Sequence, residues 1–379
     1  MSFSLKQFTE QAKKAQKSSE YIEATSKYAS RLILNEYPVI FSVEHLAMLM
    51  GIQSGYIRRL IADGKNFENK EPYKVFRYNY FKIKKRTGGY REIMAPSKDL
   101  KYIQKWILIN ILEKYNLHPC CKGFRKNISI YDNAKPHERA DLILKVDLLR
   151  FYDTISENKI FRVFADMGYA KNLAVSLAKL TTAEHRWKYW DSIEENDLKS
   201  MGFPERYNSA VLPQGAPTSP MLANIRANVL DKRFHGLSKK MNFKYTRYAD
   251  DLTFSIKNQG TLPNLNLIRK IVLEEGFVVN EKKVKYMRKG GKQYVTGLTT
   301  ANGVNVSKKY RKEIATHIHF CRKFGVLEHL KNTSKKNEKV AGIMTGYMAI
   351  FALYNQLTKK QAKNYYLILA ELIGFRTLI

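Results

Sequence analysis

The chain has 379 residues, and 66 Lys and Arg against 34 Asp and Glu leave a formal net charge of +32. Such an excess goes beyond what solubility asks of a domain and is expected of a protein that follows phosphate backbones, with affinity falling steeply as salt rises. Apolar residues at 44%, with 24 Tyr and 19 Phe, exclude a disordered basic tail, and three cysteines, two of them adjacent at Cys120 and Cys121, exclude a disulfide framework and fit a reducing cytoplasm.

The first residues have no apolar run of the kind that forms a secretory leader. Residues 1–70 read as a helical N-terminal region. Positions 5–34 are lysine-rich and amphipathic; Ser42 then caps a helix from Val43 to Met50, Gly51 breaks it, and Tyr56 to Ile61 resumes. The second pair resembles a helix-turn-helix, but burial alone accounts for its leucines, so packing against the next domain is expected rather than duplex reading.

From 71 to 300 strands and helices alternate. Residues 81–93 predict a hairpin with Gly88-Gly89 at its turn and cations placed to meet a triphosphate. Residues 142–146 predict a buried strand that delivers Asp147 at its C-terminal end. Asp153, six residues on, is expected to cap the following helix. In residues 212–220 prolines fix the backbone, Gly215 permits close approach to a base pair, and a helix is expected from Ala223. Tyr248-Ala249-Asp250-Asp251 is flanked on both sides by β-forming sequence, which places both acids in the tight turn of a hairpin where they reach one site.

Residues 301–379 return to basic helices around a polar linker at 332–339. His317, His319 and Cys321 suggest zinc only superficially, since i and i+2 positions of the helix expected there do not share a face. Residues 340–358 are uncharged for 19 positions, but their glycines, threonines, Asn355 and Gln356 predict a buried helix rather than a membrane span.

Three carboxylates in strand-end or turn contexts define a chemistry. Phosphoryl transfer to a nucleotide uses two magnesium ions about 3.5–4 Å apart, and hard Mg2+ takes oxygen ligands from a few carboxylates and the substrate phosphates. Asp147, Asp250 and Asp251 supply those oxygens.

Together these stretches resemble a reverse transcriptase, with its motifs in order from about residue 42 to 300. Residues 89–96 with 100–104 resemble the fingers motif and 123–127 the one after it. Asp147-Leu148-Leu149-Arg150-Phe151-Tyr152 resembles motif A, 212–220 motif B, 248–251 the YxDD motif C, and 276–283 motif D. Asn133-Ala134-Lys135-Pro136-His137 fits the NAxxH motif and Val295-Thr296-Gly297 the VTG motif of bacterial retron reverse transcriptases, favouring these over group II intron maturases. The pattern departs at Phe151-Tyr152, where Phe-Phe is frequent, and in the length of the segment before about residue 40.

The resemblance implies an α+β right-hand polymerase: fingers and palm with an antiparallel sheet over 71–300, a helical, RNA-binding thumb over 301–379, and a helical N-terminal extension. Asp147 and Asp250 would bridge two Mg2+ with Asp251 as third acid, and Lys84 and Arg91 would clamp the triphosphate of a dNTP. Tyr152 would lie under the sugar and exclude ribose, Gln214 and Gly215 would line the nascent pair, and Lys283 would give a proton to pyrophosphate. Basic positions Lys308, Lys309, Arg311 and Lys312 would hold RNA. Implied partners are a cognate structured noncoding RNA, the branched msDNA copied from it after priming at a guanosine 2′-hydroxyl, and a separate effector protein of an antiphage defence system; no membrane is implied. Other readings are a maturase-like or abortive-infection reverse transcriptase, an RNA-templated RNA polymerase, and a noncatalytic RNA-binding scaffold.

Overall fold

Serine caps divide the N-terminal region into helices. In the computed structural model, which describes residues 3–62, 77–84, 90–202, 210–308 and a scatter of positions from 312 to 329, α1 (Leu5–Lys14) and α2 (Ser19–Leu34) begin at Ser4 and Ser18, whose side chains accept backbone N–H bonds. Ser42 does the same for α3 (Val43–Met50), Gly51 ends it at φ 68°, and α4 (Ser54–Ala62) follows. Leu46, Met50, Ile57 and Leu60 are fully or almost fully buried in the central core, so packing is what the α3–α4 pair does with its leucines. The Gly88-Gly89 turn, His317, Cys321, Lys309, Arg311, the 332–339 linker and the 340–358 helix lie outside the described residues. Among the described residues no helix is long and apolar enough to cross a membrane.

β1 (Tyr78–Lys84) and β2 (Tyr90–Pro96) form the expected antiparallel hairpin, with Ile83 opposite Arg91. There follow α5 (Lys98–Asn110), α6 (Ile130–Ala134), β3 (Leu142–Asp147), α7 (Glu157–Asp166), α8 (Lys171–Thr181), α9 (Trp187–Trp190), α10 (Glu195–Ser200), α11 (Ser219–Arg226) and α12 (Asn228–Met241). Then come β4 (Lys244–Tyr248), β5 (Asp251–Ile256), α13 (Leu265–Glu274), β6 (Lys285–Arg288) and the short β7 (Tyr294–Val295), β8 (Leu298–Thr299) and β9 (Asn305–Val306). Helix α11 begins at Ser219 rather than Ala223, because Pro220 falls in the first turn, where its missing N–H leaves nothing unpaired.

The central sheet is antiparallel in the order β4-β5-β3-β6. Side chains alternate across it. Leu144, Val146, Leu252 and Phe254 share one face, which is buried in the main core, Phe254 meeting the Phe234 ring of α12 edge-on at 5.0 Å. The other face carries Lys145, Asp147, Asp251, Thr253 and Ser255, with Thr246 of β4 beside Thr253.

His137 packs on that second face. Its Nδ1 lies 2.7 Å from Ser255 Oγ and its Nε2 2.8 Å from Thr246 Oγ1. Asn133, one turn earlier, donates through Nδ2 to Thr296 Oγ1 at 3.4 Å, and Thr296 in turn donates to the Ile130 carbonyl at 3.3 Å. Thr296 (φ 46°) and Gly297 (φ 82°) are both left-handed, as a two-residue type I′ turn demands, and they join β7 to β8. The two short motifs, NAxxH and VTG, are therefore parts of one assembly on the same face of the sheet as Asp147 and Asp251.

Arg247, beside the acidic turn, is completely buried. Its Nε and Nη2 donate to the two oxygens of Asp231 on α12 at 2.9 and 2.7 Å, and Nη1 donates to Asn224 Oδ1 at 2.9 Å and to the Ala249 carbonyl at 3.0 Å. Asn224 passes the connection on to the Gly123 carbonyl at 2.8 Å. A Cβ on Gly123 would stand 2.8 Å from the Ala249 nitrogen, so only glycine lets this loop close on the turn. Ala249 itself sits at φ 56°, a conformation that costs an L-residue about 1–2 kcal/mol. The Arg247 bond and the Gly123 contact hold it there.

Two predictions follow from these buried polar groups. Burial first, and Lys145 second, push the His137 pKa down to about 3 from an ordinary 6.5. Below about pH 6.5 the unfolded chain takes up a proton that the folded one refuses, so stability falls with pH, by about 2 kcal/mol at pH 5. A His137→Gln variant should lose less stability than the parent between neutral pH and pH ~5; parallel denaturation profiles for the two would contradict the assignment. Arg247→Met strands Asp231 and should cost about 3–5 kcal/mol. Adding Asp231→Leu should restore most of that, while amide exchange at Ala249 and Asp250 stays faster than in the parent because the carbonyl bond is still missing.

Candidate active site

Asp147 and Asp251 stand directly opposite each other where β3 ends and β5 begins, on the same face of the sheet. Like charges so opposed repel, and each is answered by a lysine. Lys145, two residues before Asp147 and so on the same face, places Nζ 2.6 Å from Asp251 Oδ2. Lys283 donates to both oxygens of Asp147 at 2.9 and 3.0 Å, and Asn280 Nδ2 donates to Oδ1 at 3.1 Å.

The third acid differs from expectation in position. The two-residue turn consists of Ala249 and Asp250, while Asp251 already belongs to β5 opposite Tyr248, so only Asp250 is in the turn. Antiparallel pairing requires this, because the β4–β5 register that sets Asp251 against Tyr248 leaves two residues to reverse the chain. Asp250 is pushed up to about 6, by burial first and by the nearby Asp147 charge second. Burial likewise raises Asp251, against the opposing pull of Lys145.

A cluster of carboxylates whose charge the fold penalises is suited to a hard divalent cation, and the all-oxygen donor set fits Mg2+ rather than zinc. Among the described residues no three His, Cys, Asp or Glu side chains surround a point that an ion could fill as they stand. Lys145 and Lys283 occupy oxygens that a cation would share.

The other expected site residues surround this cluster unevenly. Tyr152 is half-buried, its ring edge-on to Phe151 at 5.6 Å, and its phenol pKa is raised by burial first and then by Asp250, with Arg91 pulling the other way. Arg91 and Asp250 thus both lie within electrostatic reach of the Tyr152 hydroxyl. Lys84 is exposed at the end of β1, opposite Tyr90, and no bond joins it to the acids among the described residues. Gln214 accepts the Met94 N–H at 2.8 Å through its carbonyl, and Gly215 (φ 122°) comes so close to β2 that a Cβ would be 2.9 Å from Ile93 and 3.0 Å from the Met94 oxygen. The close approach that Gly215 allows is therefore to the β1–β2 hairpin. Lys308 and Lys312 are exposed on helical positions.

Asp153 does not cap α7. Ser156 does, and Asp153 is buried with His185 and Tyr189 as partners, because a carboxylate three residues before the first helical turn is out of reach of its N–H groups. Lys145, Asn280 and Arg247 were missed by sequence reasoning. Lys145 was accessible to it, since strand alternation puts it on the Asp147 face; Arg247 was not, since its partner Asp231 lies on another element.

A family model described as "Reverse transcriptase (RNA-dependent DNA polymerase)" matches residues 83–340. The chain is 34% identical over 295 residues to the Retron Ec86 reverse transcriptase of Escherichia coli, covering 76% of this chain and 84% of the relative. It is 32% identical over 283 residues to the Retron Mx65 reverse transcriptase of Myxococcus xanthus, covering 74% of this chain but only 63% of the relative, so it spans less than two-thirds of that protein. A solved telomerase from Candida albicans with a fragment of telomeric RNA aligns with 88% of this chain and 60% of its own at 11% identity and a TM-score of 0.42, a likeness on which no argument rests. The palm-like antiparallel sheet ending in three acids, the family match over more than half the chain and the 34% identity to a retron enzyme together make this protein a member of the reverse transcriptase family, of the bacterial retron type.

Proposed function

We propose that this chain is an RNA-directed DNA polymerase that copies part of a cognate structured noncoding RNA, starting from an internal guanosine 2′-hydroxyl, to give branched msDNA. The observation that carries the reading is the opposed pair Asp147 and Asp251 with Asp250 in the adjoining turn, in a chain of the retron type. Residues 71–300 would serve as fingers and palm, and 301–379 as the thumb. When bound at Asp147, Asp250 and Asp251, two Mg2+ would lower the pKa of the attacking hydroxyl and stabilise charge on the transferring phosphoryl group.

The chain's own residues then divide the work. Arg91 and Lys84 bind the triphosphate, and Gln214 and Gly215 line the nascent pair against the hairpin. Lys283, whose Nζ already lies at Asp147, is positioned to give a proton to the departing pyrophosphate. Tyr152, next to Asp250, fills the space a ribose 2′-hydroxyl would need. Lys308, Lys309, Arg311 and Lys312 bind the phosphate backbone of the cognate RNA, whose stem-loops are read by shape. A separate effector protein would couple the msDNA complex to antiphage defence in the cytoplasm.

Replacing Asp250 and Asp251 together by Asn should lower the rate of DNA synthesis on a primed RNA template by about 10³-fold or more. RNA affinity measured on the same variant should be unchanged or slightly higher, because the chain's net charge of +32 only increases. Near-parental synthesis by this variant would end the mechanism. Tyr152→Ala should raise ribonucleotide use relative to deoxyribonucleotide by about 10- to 100-fold, with some loss of overall rate from missing packing. An unmoved ratio would make Tyr152 a packing residue only.

A further inference from the structure

A buried histidine outside the acidic cluster joins strand β2 to the loop that follows β3. His185 follows α8, and its ring lies flat on Tyr189, with centroids 3.6 Å apart and planes 7° apart. Nδ1 is 2.8 Å from Glu92 Oε2 and Nε2 is 3.3 Å from Asp153 Oδ1, all three residues being buried. Ionised carboxylates only accept, so the imidazole satisfies both when both of its nitrogens carry protons. Burial works against that charge, but the hydrogen bonds to Asp153 and Glu92 outweigh it and hold the ring's pKa above its ordinary value. Asp153 is also bonded by the Tyr189 hydroxyl, to which Arg150 Nη1 donates at 3.1 Å.

What this bridge joins gives it meaning. Glu92 is on β2 directly after Arg91, and Asp153 directly follows Tyr152. The same stretch grips the hairpin on either side of His185: Tyr80 donates to the Glu184 carbonyl at 2.8 Å, and the Arg186 guanidinium lies 4.8 Å from the centre of the Tyr80 ring. Further along, Glu194 pairs with Lys282, next to Lys283, at 2.8 Å. Among the described residues His185 is the side chain that bonds both to the strand carrying Arg91 and to the loop carrying Tyr152.

We propose that His185 is a positioning residue for sugar discrimination, its bridge from Glu92 to Asp153 fixing the distance between Arg91, which holds the triphosphate, and Tyr152, which meets the sugar. The inference rests on the reading of Arg91 and Tyr152 given above. With the bridge intact, an incoming ribonucleotide anchored at its phosphates cannot slide away from the Tyr152 ring. With it broken, hairpin and loop shift independently and the extra hydroxyl finds room.

The test uses the full chain in single-nucleotide addition on a primed RNA template, with kcat and KM measured separately for deoxy- and ribonucleotides. His185→Phe keeps the ring and its stack on Tyr189 but removes both N–H donors. Glu92→Met removes the acceptor on the hairpin side and leaves His185 paired with Asp153, so it keeps the test valid if His185→Phe folds poorly. Both should lower the deoxy-over-ribo ratio by about 10-fold, mainly through a lower ribonucleotide KM, since misplacements of about 1 Å act on that scale. An unchanged ratio in Glu92→Met, when Tyr152→Ala in the same assay does change it, overturns the role of His185 and leaves the Tyr152 reading standing. A ratio unmoved by Tyr152→Ala as well overturns that reading and this inference with it.

Discussion

Three carboxylates gathered at the end of one β ladder repel one another, and much of the surrounding structure answers that repulsion. Asp147 and Asp251 are forced into opposition by strand register, and Asp250 is added by a turn only two residues long. Neighbouring cations answer their charge from two directions, Lys145 from within β3 and Lys283 from the segment before β6. Burial, and after it the Asp147 charge, still hold the Asp250 pKa above the ordinary carboxylate range. A site built this way gains when a divalent cation enters, since the cation relieves the penalty that the fold imposes.

The turn needs support of a different kind. Ala249 is left-handed, and nothing local favours that in a residue with a Cβ. Its geometry is held by a buried arginine whose other bonds go to Asp231 and Asn224 on neighbouring helices, and by a glycine that no other residue could replace without a clash. A buried ion pair of this sort adds little stability over an apolar pair of equal volume, but it fixes one arrangement among many. Here the arrangement fixed is that of the acid-bearing turn. On the acid-bearing face of the same sheet, His137 bonds to Ser255 of β5 and Thr246 of β4, and Asn133 reaches Thr296, so the NAxxH and VTG segments brace the strands and make no hydrogen bond to the acids among the described residues.

The sequence made the principal strands legible because each carries a strong local signal: an apolar run ending in Asp147, and alternating residues around Asp250 and Asp251. Helix starts were legible where a serine stands before an apolar run, as at Ser42, and misplaced where proline chemistry decides, as at Ser219. The assignment of Asp251 to the turn failed because dipeptides do not reveal register, which depends on the partner strand. Asp153 was misread for a similar reason, since its partners His185 and Tyr189 are 32 and 36 residues away in the chain. Long-range polar pairs such as Arg247 with Asp231 leave no periodic trace, and these are the contacts that position the site.

The priming chemistry is the claim most directly open to measurement. Nucleic acid that copurifies with the protein from its native host can be digested with ribonuclease and its DNA analysed by mass spectrometry and sequencing. Priming from an internal 2′-hydroxyl predicts DNA that keeps a ribonucleotide remnant at its 5′ end, because the branch nucleotide is covalently held and resists digestion. Unbranched DNA, or synthesis that starts only from ordinary 3′ ends, would contradict the msDNA account and leave a reverse transcriptase of another habit.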